Sequence, residues 1–364
     1  MPASFIPGHD PRSRLNRRSR DLAAAATEIA DVIVIGGGIT GTGIALDAAS
    51  RGLDVVLIEG HDLAFGTSRW SSKLAHGGLR YLAHGDIAVA WESAVERAHL
   101  INTIAPHLVH KYAQIVPFFA DTSIATSVLT RIGLEAGDLL KVAARTKPRS
   151  LPAAHWVSPL KIPRALPAIR QEDLRGGAIS WDMRLTDDAR LVVAVARTAA
   201  AYGAKIITHA KATEVTSTTV TIEDQLSGES TQLRATNVIN ATGVWAHTID
   251  TSIKLRPSRG THVLLRASTL QHPRAAMAVP VKGELGRYCF LIPIDDGLVL
   301  AGITDVEVHE PIPDVPQPSR DEIEEILKNV SVALDTPLTN ADVIGAFAGL
   351  RPLVEEAGAD GNTK

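Results

Sequence analysis

Cysteine occurs once in 364 residues, at Cys289, which excludes an internal disulfide and fits a reducing, cytoplasmic setting. A surplus of either charge is missing too. Lys and Arg number 37 against 40 Asp and Glu, a formal net charge of −3, so the whole chain lacks the basic excess of a nucleic-acid binder. No apolar run reaches the ~18–20 residues of a membrane span. Metal-ligand sets are equally scarce. His107 and His110 stand three apart, but no carboxylate or cysteine completes a set, and no metal is assigned. What the chain does have is bulk: 45% apolar residues over this length can build two domains with a large core.

The N-terminus stands apart. A basic run, PRSRLNRRSR (11–20), precedes a small apolar one, DLAAAATEIA (21–30), too broken for the apolar core of a signal peptide. Residues 1–29 read as a mobile basic tail whose arginines suit solvent or an anionic lipid surface.

Residues 31–59, DVIVIGGGITGTGIALDAASRGLDVVLIE, are the most informative stretch. Val32–Ile35 is continuously apolar, as a buried parallel strand should be. Gly36-x-Gly38-x-x-Gly41 follows at once, then small apolar residues at helical spacing, then a second strand closed by Glu59. Gly36 permits a tight turn. Gly38 lets backbone approach a pyrophosphate, and Gly41 lets helix and strand pack closely. Glu59 suits a ribose and would repel a 2′-phosphate. This fingerprint serves NAD and FAD alike. The next segment, FGTSRWSSKLAHGGLRYL (65–82), adds hydroxyls at Thr67, Ser68, Ser71 and Ser72, a cation at Lys73, and Gly77-Gly78, whose backbone can lie against a flat ring. A later strand end, Ala241-Thr242-Gly243, favours FAD when joined to the first fingerprint.

SSKLAHGGLRYL, DDARLV, NATGVW and GLRPL, in that order, resemble FAD-dependent, quinone-linked glycerol-3-phosphate dehydrogenase from about residue 31 to the end. The resemblance implies an α/β fold. A Rossmann-like FAD-binding domain, of the two-dinucleotide-domain or D-amino-acid-oxidase-like type, would be interleaved with a substrate domain on a mixed, largely antiparallel sheet. The expected division puts residues 30–114 and 176–250 in the FAD domain and 115–175 and 251–350 in the substrate domain. Residues 351–364 would begin a return to the FAD domain. The reaction implied is oxidation of sn-glycerol 3-phosphate to dihydroxyacetone phosphate, with a hydride passing from C2 to flavin N5 and electrons going on to a quinone. The resemblance also implies a cytoplasmic protein, peripheral on the inner face of the plasma membrane, and admits a homodimer.

Its site residues carry over onto matching positions. His76 and Arg351 are the catalytic candidates, with His262 as a third that also admits a plain packing role. Arg80 and Arg351 would hold the phosphate, because arginine presents a fixed fork of donors. The cofactor set is Gly36, Gly37, Gly38, Ile39, Thr40, Gly41, Glu59, Thr67, Ser68, Ser71, Ser72, Lys73, His76, Gly77, Gly78, Ala212, Ala241, Thr242, Gly243 and Trp245. There are departures: Trp70 before SSK, Ile303 for a hydroxyl in GITD, Ile294 in IPI, and Arg259 for a lysine. The family also continues into a GGKxTTYR segment and a helical domain, ahead of which this chain ends at Lys364. That reads as truncation. An oxidase using O2, a truncated non-catalytic FAD module and an NAD-linked enzyme stand as alternatives.

Elsewhere, residues 87–108 read as a helix burying Ile87, Trp91, Ala94, Ala98 and Ile101. Residues 115–175 show breaks and no clean period. Asp187 is expected to cap a helix, and Ser319–Glu322 to form a capping box.

Overall fold

The structure, a computed structural model, describes residues 11–76, 86–147, 149–284, 286–309 and 311–355, with side chains from residue 17 onward. Two units are each assembled from two stretches of chain: residues up to Arg69 with Ala189–Arg256, and Trp70–Asp188 with Pro257 onward. The elements, in chain order, are α1 (Pro11–Thr27), β1 (Ile29–Ile35), α2 (Ile39–Ser50) and β2 (Val55–Ile58). Next come α3 (Ile87–His99), β3 (Val109–Phe119), α4 (Ile124–Ala143), β4 (His155–Val157) and β5 (Leu174–Leu185). Then follow α5 (Asp188–Ala201), β6 (Lys205–Ile207), β7 (Ala210–Val215), β8 (Thr219–Asp224), β9 (Ser230–Asn240) and a short α6 (Ala246–Ile249). The last stretch holds β10 (Ser258–Arg266), β11 (Ala276–Pro280), β12 (Tyr288–Ile294), β13 (Leu298–Gly302), β14 (Val306–Glu307), α7 (Arg320–Ser331) and β15 (Val343–Arg351).

In the first unit the described strands form one sheet in the order β6-β2-β1-β9-β8-β7. β6, β2, β1 and β9 run parallel, and β9-β8-β7 is an antiparallel meander. The apolar runs of β1 and β2 follow from burial on both faces. Val32, Val34, Val55 and Leu57 pack with Ala45, Ala48 and Ala49 of α2. Ile33, Ile35, Val56 and Ile58 pack on the other face with Ile222 and Leu233.

That second face is also where the N-terminal segment goes, and residues 11–27 form a helix rather than the expected mobile tail. Pro11 suits the first helical position, and the alanines that follow are strong helix formers. Ala25 is buried and Leu22 packs on the cluster around Ile33. Arg18 is spent within the fold. Its Nη1 and Nη2 donate to the two carboxylate oxygens of Asp224 at 3.1 and 2.8 Å, and its Nε donates to the Thr208 carbonyl at 2.7 Å.

In the second unit the described strands form one mixed sheet, β14-β10-β13-β12-β11-β3-β5-β4, with β15 also on β10. All its pairs are antiparallel except β11 with β3. Helix α7 covers it with Ile326, Leu327 and Val330. The Ser319–Glu322 capping box is present. Four expectations change here. Residues 70–114 and 176–188 belong to this unit, not to the cofactor domain. Residues 351–355 stay with it too, because β15 pairs with β10 through Arg351. Residues 124–143, read as part of a broken stretch, form the 20-residue helix α4, capped by Ser123. Helix α3 buries Ala90, Ala94, Arg97 and Ala98, and leaves Ile87 and Trp91 exposed. The reason is an ion pair: Arg97 donates to Asp182 of β5 at 2.9 Å and turns the alanine face inward. Among the described residues no helix is long and apolar enough to cross a membrane.

Candidate active site

In the first unit the chain leaves β1 through Gly36, whose φ of +116° suits glycine. A Cβ there would strike the Ala241 carbonyl, and one on Gly41 would strike the Gly36 carbonyl. Gly36 N–H donates to Ile58 O, and Ala241 N–H to Ile35 O, both at 2.8 Å. The loop is thereby tied to the ends of β2 and β9. Glu59 braces it from the side, accepting from Gly37 N–H at 2.6 Å and from His61 N–H at 2.8 Å. Each oxygen retains acceptor capacity for a ligand hydroxyl. Gly38 caps α2 with no side-chain bond. The first turn, with Ile39, Thr40 and Gly41, therefore presents the partial positive charge that favours a phosphate. Ser68, in the turn Thr67–Arg69, accepts from Ile39 N–H at 2.9 Å.

The NATG turn is held by Asn240. Its carboxamide oxygen accepts from Thr242 N–H at 3.2 Å and from the Thr242 hydroxyl at 2.7 Å. Gly243 follows with φ +59°, and the Trp245 ring lies over Gly66, where a Cβ would come within 3.0 Å of it. Ala212 differs: its side chain packs into the cluster around Ile222. Its neighbour Lys211 lies beside Gly60, next to Glu59. A glycine cradle that a Cβ would fill, a helix start with glycine at its cap position and an acceptor at the end of β2 fit the adenosine-diphosphate half of FAD. Gly36 to Gly41, Glu59, Ser68 and the Ala241–Gly243 turn would hold it.

The second unit gathers the SSK segment, His262 and Arg351. Backbone bonds from Leu185 N–H to Lys73 O (2.7 Å) and from Ala75 N–H to Met183 O (3.1 Å) lay residues 73–75 along β5. Asp188, at the start of α5, fixes the preceding turn. Its Oδ2 accepts from Ser71 N–H and Oγ–H at 3.1 and 2.7 Å, and its Oδ1 accepts from Lys73 Nζ at 2.6 Å. The Asp187-Asp188 pair thus supplies a strut as well as a helix start. Ser72 Oγ lies 2.8 Å from His262 Nε2. His262, 1% exposed, is stacked on Phe347 at 4.9 Å between ring centroids. Burial, with the Arg351 and Lys73 charges behind it, pushes its imidazole down to about 3. That environment holds the His262 ring neutral at working pH. His76 follows Ala75 and is exposed.

Arg351 is held at the end of β15. Its Nη1 donates to Ser258 Oγ and Asp305 Oδ1, each at 3.1 Å, and its Nη2 to Thr304 O at 3.3 Å. Ser258 in turn donates to Asp305. The departures in sequence find uses. Arg259 pairs with Glu322, whose carboxyl burial alone would raise but Arg259 and Ser319 hold below its ordinary value. Ile303 packs over Gly260, and Trp70 packs against Gly349. Ile294 closes the β12–β13 pair opposite Leu298. Gly77, Gly78 and Arg80 lie outside the described residues. Asp305 and Phe347 went unremarked in the sequence, and the strut role of Asp188 was not foreseen. Only the Asp pair of DDARLV offered a signal, and it pointed to capping.

A sheet with a glycine loop at its parallel centre, and a mixed-sheet unit carrying SSK, His262 and Arg351, are features of a flavoprotein oxidoreductase. The chain belongs to the FAD dependent oxidoreductase family, which matches residues 31–363. It is 51% identical over 352 residues to glycerol-3-phosphate dehydrogenase 1 of Mycobacterium tuberculosis (strain H37Rv), covering 96% of this chain and 68% of that protein. It is 35% identical to glycerol-3-phosphate dehydrogenase of Mycobacterium leprae, over 94% and 59% of the two chains. The crystal structure of glycerol-3-phosphate dehydrogenase from Bacillus halodurans complexed with FAD matches with a TM-score of 0.72 at 27% identity, over 93% of this chain and 60% of that one. L-alpha-glycerophosphate oxidase from Mycoplasma pneumoniae shares the fold, with a TM-score of 0.67 at 19% identity, over 90% and 84% of the two chains. The chain thus spans 59 to 68% of the length of the dehydrogenases named. FAD is the family's cofactor, so the nicotinamide alternative falls.

Proposed function

We propose that this chain oxidises sn-glycerol 3-phosphate to dihydroxyacetone phosphate and passes the electrons to a quinone. The observation that carries the reading is the 51% identity to a glycerol-3-phosphate dehydrogenase over 96% of the chain. The clustering of distant motif segments in the second unit supports it: Ser72 on His262, Lys73 on Asp188, and Arg351 beside Gly260. FAD, when bound, supplies the acceptor for the hydride leaving C2. His76 takes the C2 hydroxyl proton, and the oxygen's electron pair closes the new carbonyl. Arg351 and Arg80 hold the phosphate dianion. Asp305 fixes the Arg351 fork but offsets part of its charge, so Arg351 orients the phosphate more than it attracts it. Because quinones reside in the bilayer, the reading includes peripheral association with a membrane.

The test is the visible spectrum of the FAD-loaded protein under argon, before and after sn-glycerol 3-phosphate. Bleaching of the flavin band, with return of colour on adding a soluble quinone, is expected. An unchanged spectrum overturns the substrate. Peroxide released under air as fast as the flavin reoxidises would replace the quinone by oxygen.

A further inference from the structure

Ser71 and Ser72 are adjacent hydroxyls with opposite assignments. Ser71 is used up: its hydroxyl donates to Asp188 and accepts from Lys73 N–H at 3.0 Å. Among the described residues Ser72 has one hydrogen-bond partner, the His262 ring, so the proton on that ring decides what Ser72 can do. His262 sits mid-strand in β10, opposite Gly302 on one side and Phe347 on the other. A Cβ at position 302 would come within 2.8 Å of the ring, so glycine there lets the imidazole lie flat against β13. Phe347 closes it from the other side at 22° to its plane. The ring is thus clamped with Nε2 toward Ser72, while among the described residues the buried Nδ1 has no hydrogen-bond partner.

A neutral imidazole carries one N–H and one lone pair. A proton on Nδ1 would leave a buried donor unmet, the rarer and costlier defect, whereas a bare Nδ1 lone pair is better tolerated. The charged groups facing the ring, Lys73 and Arg351, are both cations and oppose a second proton. The proton therefore belongs on Nε2, where it donates to Ser72 Oγ. The Ser72 hydrogen is then free to point away from His262.

We infer that His262 is a positioning residue that holds Ser72 as a hydrogen-bond donor toward the bound flavin or substrate. Of the two serines, Ser72 makes the ligand bond and Ser71 is a strut. This rests on the function proposed above, but its first test does not. In the unaltered, FAD-loaded protein, 15N NMR of the His262 ring should show the Nε2–H tautomer, neutral from pH 8 down to pH 5. An Nδ1–H tautomer, or a protonated ring at pH 6, overturns the proposal whatever the substrate.

The second test uses variants at matched flavin content. His262→Leu should lower kcat with glycerol 3-phosphate by about tenfold or more. His262→Gln, which can still donate an N–H, should recover most of that loss. The pH profile should keep its shape in both. Ser72→Ala should match His262→Leu, and the double variant should be no worse than either single one. Equal damage from Leu and Gln, or additive losses, sinks the coupling. If the unaltered protein is not reduced by glycerol 3-phosphate, the substrate assignment fails while the tautomer result stands.

Discussion

Replacing Arg18 by Gln asks whether helix α1 is part of the fold. The parent arginine forms a two-pronged pair with Asp224, whose side chains are 12% and 11% exposed, and a third bond to the Thr208 carbonyl. Charge-assisted hydrogen bonds contribute ~1.5–3 kcal/mol each, and stranding one member of a buried pair costs ~3–5 kcal/mol. Some water reaches this pair, and Asp224 would keep its bond from Leu226 N–H at 3.0 Å. We expect a loss of about 2–4 kcal/mol, which at urea slopes of ~1–3 kcal/mol per M moves the unfolding midpoint down by about 0.7 M or more. The pH dependence has a definite sign. The Arg18 hydrogen bond holds the Asp224 carboxyl below its ordinary value. Its contribution is therefore full above the unfolded carboxyl's pKa of ~3.9 and fades as pH falls through the lower folded value. The gap between parent and Arg18→Gln should be complete at pH 7 and narrow below about pH 4. Urea unfolding at both pH values, with protease mapping of residues 11–27, reads this out. A midpoint change under about 0.2 M, with equally fast cleavage of the segment in both proteins, would show that α1 is a tail after all.

Gly41→Ala should empty the protein of FAD and cost ~1–3 kcal/mol, because its Cβ would meet the Gly36 carbonyl; flavin absorbance after gel filtration checks it, and full occupancy refutes the cradle. Arg351→Lys should raise KM for glycerol 3-phosphate by about tenfold with flavin content unchanged, since lysine keeps the charge but loses the fork; unaltered kinetics would make Arg351 structural. Cys289 is buried, and burial pushes its thiol up to about 12, so a maleimide at pH 7 should label it only in denaturant. Rapid native labelling would contradict the packing of β12.

The cofactor half of the fold was legible because its signal is local. Strand, glycine loop, helix and Glu59 occupy one continuous stretch, and each glycine's job is set by neighbours a few residues away. The capping box at Ser319 and strands β10, β12, β13 and β15 were readable for the same reason. The failures have distant causes. The arginine run looked solvated because Arg18's partner, Asp224, lies 206 positions along the chain. Trp91 looked like core because periodicity ranks residues by size, while the Arg97–Asp182 pair chose the alanine face. Helix α4 was overlooked because the proline-rich run after it coloured the reading of the whole stretch. In the candidate site the residue types were visible, but the Asp188 strut and the Phe347 stack join segments more than 80 residues apart.

The order of strands has a consequence for how the protein is made. β1, near the middle of its sheet, has β2 on one side and β9 on the other. β2 leaves the ribosome soon after β1, but β9 is completed only at Asn240, about 200 residues later. At ~5–20 residues per second that interval is about 10–40 s. Throughout it the nascent chain carries an apolar strand with one edge unpaired, while the first stretch of the other unit is threaded out between the partners. No single break in the polypeptide can release either unit whole, and no single crossover between genes can exchange one. The two must be inherited, and translated, together.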